Sequence, residues 1–255
     1  MKTIVRNPFD REPVAEVPLV DWPQIDEWLS EAQLLHRDRH GWLAVHERIA
    51  ILRRAADIMR ERAEDLALQI VREGGKPLVD ARVEAGRAIN SVDLCVQALS
   101  DGGGHEIPMD LTEAGAGRTA YTFREPIGPV VAISAFNHPL NLIVHQVGPA
   151  VAAGCPVLIK PALETPLSCQ SFVSILHEAG LPEAWCRFAP CGNDIAERMV
   201  TDPRTAFFSF IGSAKIGWML RSKLAPGTRI ALEHGGAAPV IVDSGVERAA
   251  VIASL

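Results

Sequence analysis

Beyond Pro126, short apolar runs alternate with helical stretches, and this alternation constrains the fold more than any other feature of the chain. The runs are VVAIS (130–134), VLIK (157–160), CRFA (186–189), AFFSF (206–210), RIALE (229–233) and PVIV (239–242). Helical spacing fills the intervals 140–153, 166–179, 194–201 and 213–224. An unbroken apolar run of four or five residues suits a strand covered on both faces, and strand–helix–strand units close with right-handed crossovers. The expected fold class is therefore α/β, built on an open parallel sheet.

The residues before this region read differently. Apolar positions recur at helical spacing from Trp42 to Glu73, which predicts one amphipathic helix stopped by Gly74 and Gly75. Pro77 opens a second helix from Leu78 to about Leu99, closed by Asp101–Gly104. Residues 105–124 have weak alternation and a Gly-rich middle, predicting a β-hairpin arm whose unpaired edges would seek a second subunit. Four segments follow: a helical part (1–104), an arm (105–126), an α/β part (127–235) and the start of a further unit (236–255).

Composition narrows the partners. The 255 residues carry 25 Lys+Arg against 31 Asp+Glu, a net charge of −6, with 48% hydrophobic and 22% charged residues. These values exclude a disordered, collagen-like or coiled-coil chain and argue against nucleic acid or an anionic membrane as partner. No apolar run approaches a bilayer span, and MKTIVRNPFDREP lacks a signal-peptide core. Five cysteines without a CxxC pair suggest a reducing, cytoplasmic compartment with mostly buried thiols, and no histidine pair has the HExxH spacing of a metal site.

In an open parallel sheet, ligands bind beyond the carboxyl ends of the strands. The residues expected there are Ala135–Asn137–Pro139, Lys160–Pro161, Ile211–Gly212–Ser213 and Glu233 with His234–Gly235–Gly236. One cation, one Gly-Ser at a helix start and backbone N–H groups make an inventory suited to phosphate. Two other motifs fail on context. GAGRTA (115–120) matches a dinucleotide glycine pattern but follows no apolar strand, and His234-Gly-Gly-Ala imitates an esterase oxyanion loop in a chain without GxSxG.

Taken together, REPIGPVVAISAFNHPLNLIVHQVGPAVAAGCPVLIKPALETP (124–166), FSFIGSAKIG (208–217) and ALEHGGAAPVIV (231–242) resemble the aldehyde dehydrogenase superfamily. The NPFDREP opening and EGGKPLVDAR (73–82) are similar as well, so the resemblance runs from end to end. It implies a Rossmann-like cofactor domain in 127–235, an oligomerisation arm in 105–126 and a homodimer or homotetramer. It also implies NAD or NADP as cofactor and a small aldehyde as substrate.

The resemblance assigns roles residue by residue. Asn137 would hold the oxyanion of a thiohemiacetal, a task for preorganised donors. Glu233 would be the general base that hydrolyses the thioester, its pKa raised by partial desolvation. Lys160 would meet the adenosine ribose, and Ser213 with its helix N-terminus the pyrophosphate, with Gly212 and Gly217 shaping that turn. Ile133, Ser134, Ala135, Phe136, Ala162, Leu163, Gly192 and Gly235 complete the implied cofactor contacts. His138, Leu142 and His145 would line the substrate mouth, where two histidines favour an anionic or polar aldehyde. Leu163 stands where NAD-preferring members commonly carry glutamate, leaving NAD and NADP both open.

The family's nucleophilic cysteine lies a few tens of residues beyond the glutamate, and none of Cys95, Cys155, Cys169, Cys186 and Cys191 aligns with it. The chain is thus expected to be part of a longer enzyme or to lack residues of the full sequence. Other readings are a non-catalytic nucleotide-binding or assembly homologue and a relative that handles acyl-CoA or acyl-phosphate. Glu233 favours the hydrolytic form over the last.

Overall fold

The structure is a computed structural model and describes residues 1–254. The chain opens not with a helix but with an antiparallel hairpin, β1 (Lys2–Arg6) and β2 (Pro13–Pro18). Helix α1 (Trp22–Arg37) follows, its N-terminus capped by the Asp21 carboxylate accepting from Gln24 N at 3.2 Å. The helix expected over 42–73 is two helices, α2 (Val45–Glu61) and α3 (Ala63–Gly74). The break falls at Arg62, whose ψ of 17° leaves the helical range. Amphipathic spacing runs on through such a break because the pattern records which face is buried, not whether the axis is straight. Gly75 stops α3 in the left-handed region at φ 68°, as the Gly-Gly signal predicts.

Helix α4 (Leu78–Ser100) leads into the arm, where β3 (Glu106–Ile107) and β4 (Ala120–Tyr121) form an antiparallel ribbon two pairs long. The α/β part then runs β5 (Val130–Ile133), α5 (Asn141–Ala152), β6 (Val157–Lys160), α6 (Leu167–Glu178), β7 (Cys186–Phe188), α7 (Asn193–Thr201), β8 (Phe207–Gly212), α8 (Ala214–Arg221) and β9 (Arg229–His234). These five strands form one parallel sheet in the order β7-β6-β5-β8-β9. A last helix, α9, covers Arg248–Ser254.

Two expectations fail here. Helix α8 ends at Arg221 rather than 224, and PVIV (239–242) forms no strand, with Val240, Ile241 and Val242 exposed. A strand exists only through its pairing, and no described strand lies beside this run.

The period-2 alternation of the central strands divides the core in two. Val130, Ala132, Val157 and Ile159 face a cluster with α2–α6, while Val131, Ile133, Leu158 and Phe208 face one with α1, α7 and α8. Helices thus cover both faces of a doubly wound sheet. All five cysteines are free and buried, and no helix among the described residues is long and apolar enough to cross a membrane.

Candidate functional site

The strand order places the site. From β5 the chain winds outward through β6 to β7, then returns to the other flank of β5 with β8 and β9. The crossovers therefore diverge between β5 and β8, and a crevice opens above their carboxyl ends. The last residue of β5, Ile133, is in register with Lys160 on one side and Phe210 on the other, while Ile211 and Gly212 pair with Glu233 and His234. Ile133, Ser134, Ala135, Phe136, Asn137, Lys160, Ala162, Leu163, Gly212, Ser213, Glu233 and Gly235 therefore share one edge of the sheet, as expected. Gly192, the N-cap of α7 beyond β7, stands at the far flank, four strand spacings or about 19 Å from Glu233.

One residue absent from the sequence reading bridges the two strands at this switch point. Gln146, buried on α5, donates from Nε2 to Ile133 O at 3.1 Å, to Ser209 O at 3.1 Å and to Ser209 Oγ at 3.0 Å. Its side chain ties β5, β8 and α5 together where the crossovers part. Nothing in the sequence marks it, because a glutamine on a helix carries no distinguishing spacing.

The helix N-termini around the crevice differ in what occupies them. At α6, the Glu73 carboxylate at the end of α3 accepts from Leu167 N at 2.7 Å, from Ser168 N at 2.8 Å and from Ser168 Oγ. At α5, Glu84 of α4 accepts from Leu140 N at 3.0 Å and Asn141 N at 3.1 Å, while its other oxygen meets Lys76. Both glutamates are almost fully enclosed, at 1% and 2% exposure. Burial raises the Glu73 pKa to about 7, against its hydrogen bonds and with the neighbouring Glu84 charge adding to the rise. Helix α8 is different: its N-cap, Ser213, is exposed and makes no capping bond, so the positive end of that helix faces the crevice uncommitted.

Two further groups await partners. Lys160 is 7% exposed, yet among the described residues its Nζ takes part in no hydrogen bond or ion pair. Burial lowers its pKa, with the nearby Cys191 and Glu164 pulling the other way. Ser134 Oγ, next along from β5, is buried without a partner as well. A buried hydroxyl left unpaired is costly unless something else meets it, and an enclosed lysine whose ammonium has no protein partner stands ready for an acceptor beside it.

The glycines of the α8 turn serve packing. A Cβ on Gly212 would come within 2.7 Å of the Phe210 ring, and one on Gly217 within 2.3 Å of His234 Cε1. The His234 ring lies between Phe210 and Trp218, centroids 6.2 and 5.8 Å away, with both ring nitrogens buried and unpartnered. Glu233 itself is exposed rather than partly desolvated as expected. The reason is its place at the end of β9, the edge strand, beside which no other described strand lies.

Asn137 is exposed on the loop between β5 and α5, and the capping bonds from Glu84 anchor the helix that follows it. His138 Nδ1 lies 2.9 Å from Lys76 Nζ and 3.4 Å from Glu84 Oε2. Leu142 is half-buried one turn on. His145 is exposed, leaves the sheet edge along α5 and meets Ser91 Oγ of α4 at 3.0 Å. There it joins the wall of a cavity of about 910 Å³ between α4, α5 and the segment Phe123–Pro126. Burial lifts the thiols of Cys95 and Cys191 to about 11 and that of Cys186 to about 12, so these cysteines stay protonated near neutral pH.

Fold and crevice together define a Rossmann-like α/β domain with its ligand edge at a topological switch point. The sequence model of the aldehyde dehydrogenase family matches residues 1–255, and the chain belongs to that family. It is 35% identical over 243 residues to aspartate-semialdehyde dehydrogenase 1 of Pseudomonas canavaninivorans, covering 93% of this chain and 50% of that protein. Among solved structures, aldehyde dehydrogenase 21 from Physcomitrella patens with the reaction product succinate is 32% identical, with a TM-score of 0.89 over 94% of this chain and 50% of that one. Glyceraldehyde-3-phosphate dehydrogenase from Methanocaldococcus jannaschii, complexed with NADP, is 30% identical, with a TM-score of 0.84 over 91% and 50%. The chain spans about half the length of the curated relatives it matches.

Proposed function

We propose that this chain is the cofactor-binding half of an NAD(P)-dependent dehydrogenase that oxidises a small aldehyde to a carboxylic acid. The observation that carries the reading is Lys160, whose side chain is almost wholly enclosed and whose ammonium meets no partner among the described residues, at the carboxyl edge of the strand beside the switch point. Ribose hydroxyls offer the acceptors it lacks, and the uncapped N-terminus of α8 with Ser213 suits the pyrophosphate. The N-termini of α5 and α6 are already filled by Glu84 and Glu73, so α8 is the uncommitted positive end beside the switch point. The M. jannaschii relative bound to NADP supports the same cofactor class. When bound, the dinucleotide supplies the hydride acceptor.

The remaining tasks fall to the chain's own groups. The Asn137 amide donates to the oxygen that gains charge when a thiolate adds to the aldehyde carbon, a contribution of roughly 3–4 kcal/mol for a single donor. Glu233 takes a proton from the water that releases the acid. The thiolate comes from a cysteine outside this chain, in the half that the relatives possess, because the five thiols here are buried. A covalent cysteine thiohemiacetal then precedes the acid. The arm would pair with a second copy into a homodimer or homotetramer, since β3 and β4 leave Ile107, Tyr121 and Phe123 exposed. Size-exclusion chromatography with light scattering tests that pairing, and a monomer at every concentration removes it.

Titration of the chain with NAD and with NADP, followed by calorimetry, tests the cofactor. Binding of at least one and a tenfold or greater loss in Lys160→Ala is the expected result. Unchanged affinity in that variant overturns the assignment.

A further inference from the structure

We propose that Glu73 is a positioning residue of the nucleotide site: from the end of α3 it fixes the loop 161–166, which carries Ala162 and Leu163 to the ligand edge. The inference rests on the reading of that edge as a cofactor site and adds to it what holds the loop beside Lys160 in place.

The two ends of this loop are anchored in different ways. At its start the chain leaves β6, where Lys160 is in register with Ile133 and its carbonyl accepts from Ser134 N at 3.1 Å. In its middle Thr165 N donates to Ala162 O at 3.3 Å and closes a turn. Ala162, Thr165 and Pro166 are buried there, and only Leu163 and Glu164 reach the surface. At its far end α6 begins at once, with Pro166 at the N-cap and no capping bond from the loop itself. A Ser or Asp at that position would satisfy the first amides locally. Instead the acceptor arrives from 94 and 95 residues earlier in the chain, as Glu73 takes the N–H groups of Leu167 and Ser168 together with the Ser168 hydroxyl.

A local cap travels with its own helix, whereas a cap carried by α3 ties the start of α6 to a second element. The loop is therefore held between the end of β6 and the end of α3. The neighbouring contacts continue this brace. A Cβ on Gly74 would meet Thr165 Cγ2 at 3.7 Å, an ordinary packing distance, and Pro8 of the β1–β2 turn backs Gly75, 3.2 Å from where its Cβ would stand. Thr165 Oγ1 in turn donates to Phe136 O at 3.4 Å, which joins the loop after β6 to the loop that carries Asn137. Glu73 is 1% exposed, so water does not compete for the bonds it makes.

The test is calorimetric titration of the chain with NAD and NADP at about pH 8, above the Glu73 pKa of about 7. Affinities are counted on the folded fraction measured by circular dichroism. The expected result is at least tenfold weaker binding in Glu73→Ala, with Glu73→Gln, which keeps an acceptor for the amides, within about threefold of the parent. Ile70→Ala opens a cavity under the same helix and is the control: it lowers stability and leaves affinity unchanged. Ser168→Ala removes one of the three bonds and serves where Glu73→Ala does not fold, with an expected loss of about threefold. Parent affinity in folded Glu73→Ala overturns the inference, as does parent affinity in Ser168→Ala if Glu73→Ala does not fold. An equal loss in Ile70→Ala overturns it too, because the nucleotide would then sense stability rather than position. Nucleotide binding that ignores Glu73 defeats this inference alone, and a parent that binds neither NAD nor NADP defeats the cofactor reading and this inference with it.

Discussion

Helices α5 and α6 on one side of the switch point and α8 on the other start from the same kind of strand end, yet their N-termini have opposite fates. The first two are sealed by carboxylates brought in from α4 and α3, and the third is left open. A helix N-terminus offers unpaired N–H groups and partial positive charge wherever it occurs. The difference shows that a doubly wound sheet provides several such ends, and the surrounding helices decide which remains available to a ligand. Here the helical layer packed against one face supplies Glu73 and Glu84, and among the described residues no carboxylate caps α8.

The largest way to break this contrast is to unseal α5. Glu84→Ala leaves Leu140 N and Asn141 N without an acceptor and the half-buried Lys76 without its counter-charge. The expected loss is about 3–5 kcal/mol of stability, read by urea denaturation. A variant as stable as the parent would show that these bonds hold nothing together.

Next in size is the pH response of the α6 seal. Because burial raises the folded pKa of Glu73 to about 7 from 4.5, the folded state keeps a proton that the unfolded chain releases between those values. Stability therefore falls as pH rises from about 4.5 to about 7 and levels off above. The total is on the order of 3 kcal/mol, by the equivalence of one pKa unit to about 1.4 kcal/mol. Denaturation midpoints across that range should show the slope in the parent and lose it in Glu73→Gln.

Sealing the open end sharpens the contrast from the other direction. Ser213→Asp places a carboxylate on α8, as Glu73 and Glu84 do on α6 and α5. A gain of about 0.5–1 kcal/mol in stability is expected together with at least tenfold weaker binding of NAD(P). Improved nucleotide affinity in this variant would remove α8 from the site. A local loss is expected at the switch point itself. Gln146→Leu deletes one donor shared among three acceptors, at a cost of about 1–2 kcal/mol in the same denaturation assay.

Much of the frame was legible in the residues. VLIK became β6 without a change of boundary, and the other apolar runs up to residue 233 became strands to within a residue or two at either end. Continuous apolar runs leave a strand no exposed face, and helices on both sides are the arrangement that satisfies them. PVIV misled because the same pattern without a neighbour to pair with is only an apolar segment. The helix over 42–73 misled because amphipathic spacing does not register a one-residue interruption at Arg62. Within the site, Lys160, Asn137, Ser213 and Glu233 could be picked out as residues just after strands. Glu73 and Lys76 fell inside a stretch noticed for its resemblance, but their roles as cap and counter-charge had no local signature. Glu84 and Gln146 were invisible, being polar residues on helices like many others in this chain.

The sequence by itself thus determined the class of fold and the strand ends where ligands gather, because hydrophobic periodicity and turn residues act over a few positions, and its motifs carried the resemblance to the family. Tertiary structure decided which helix ends are free and which enclosed lysine lacks a protein partner. Those properties depend on groups 56 to 95 residues apart in the chain, such as Glu84 with Leu140 and Glu73 with Ser168. Only packing brings such groups into contact, and only contact removes the water that would otherwise satisfy them.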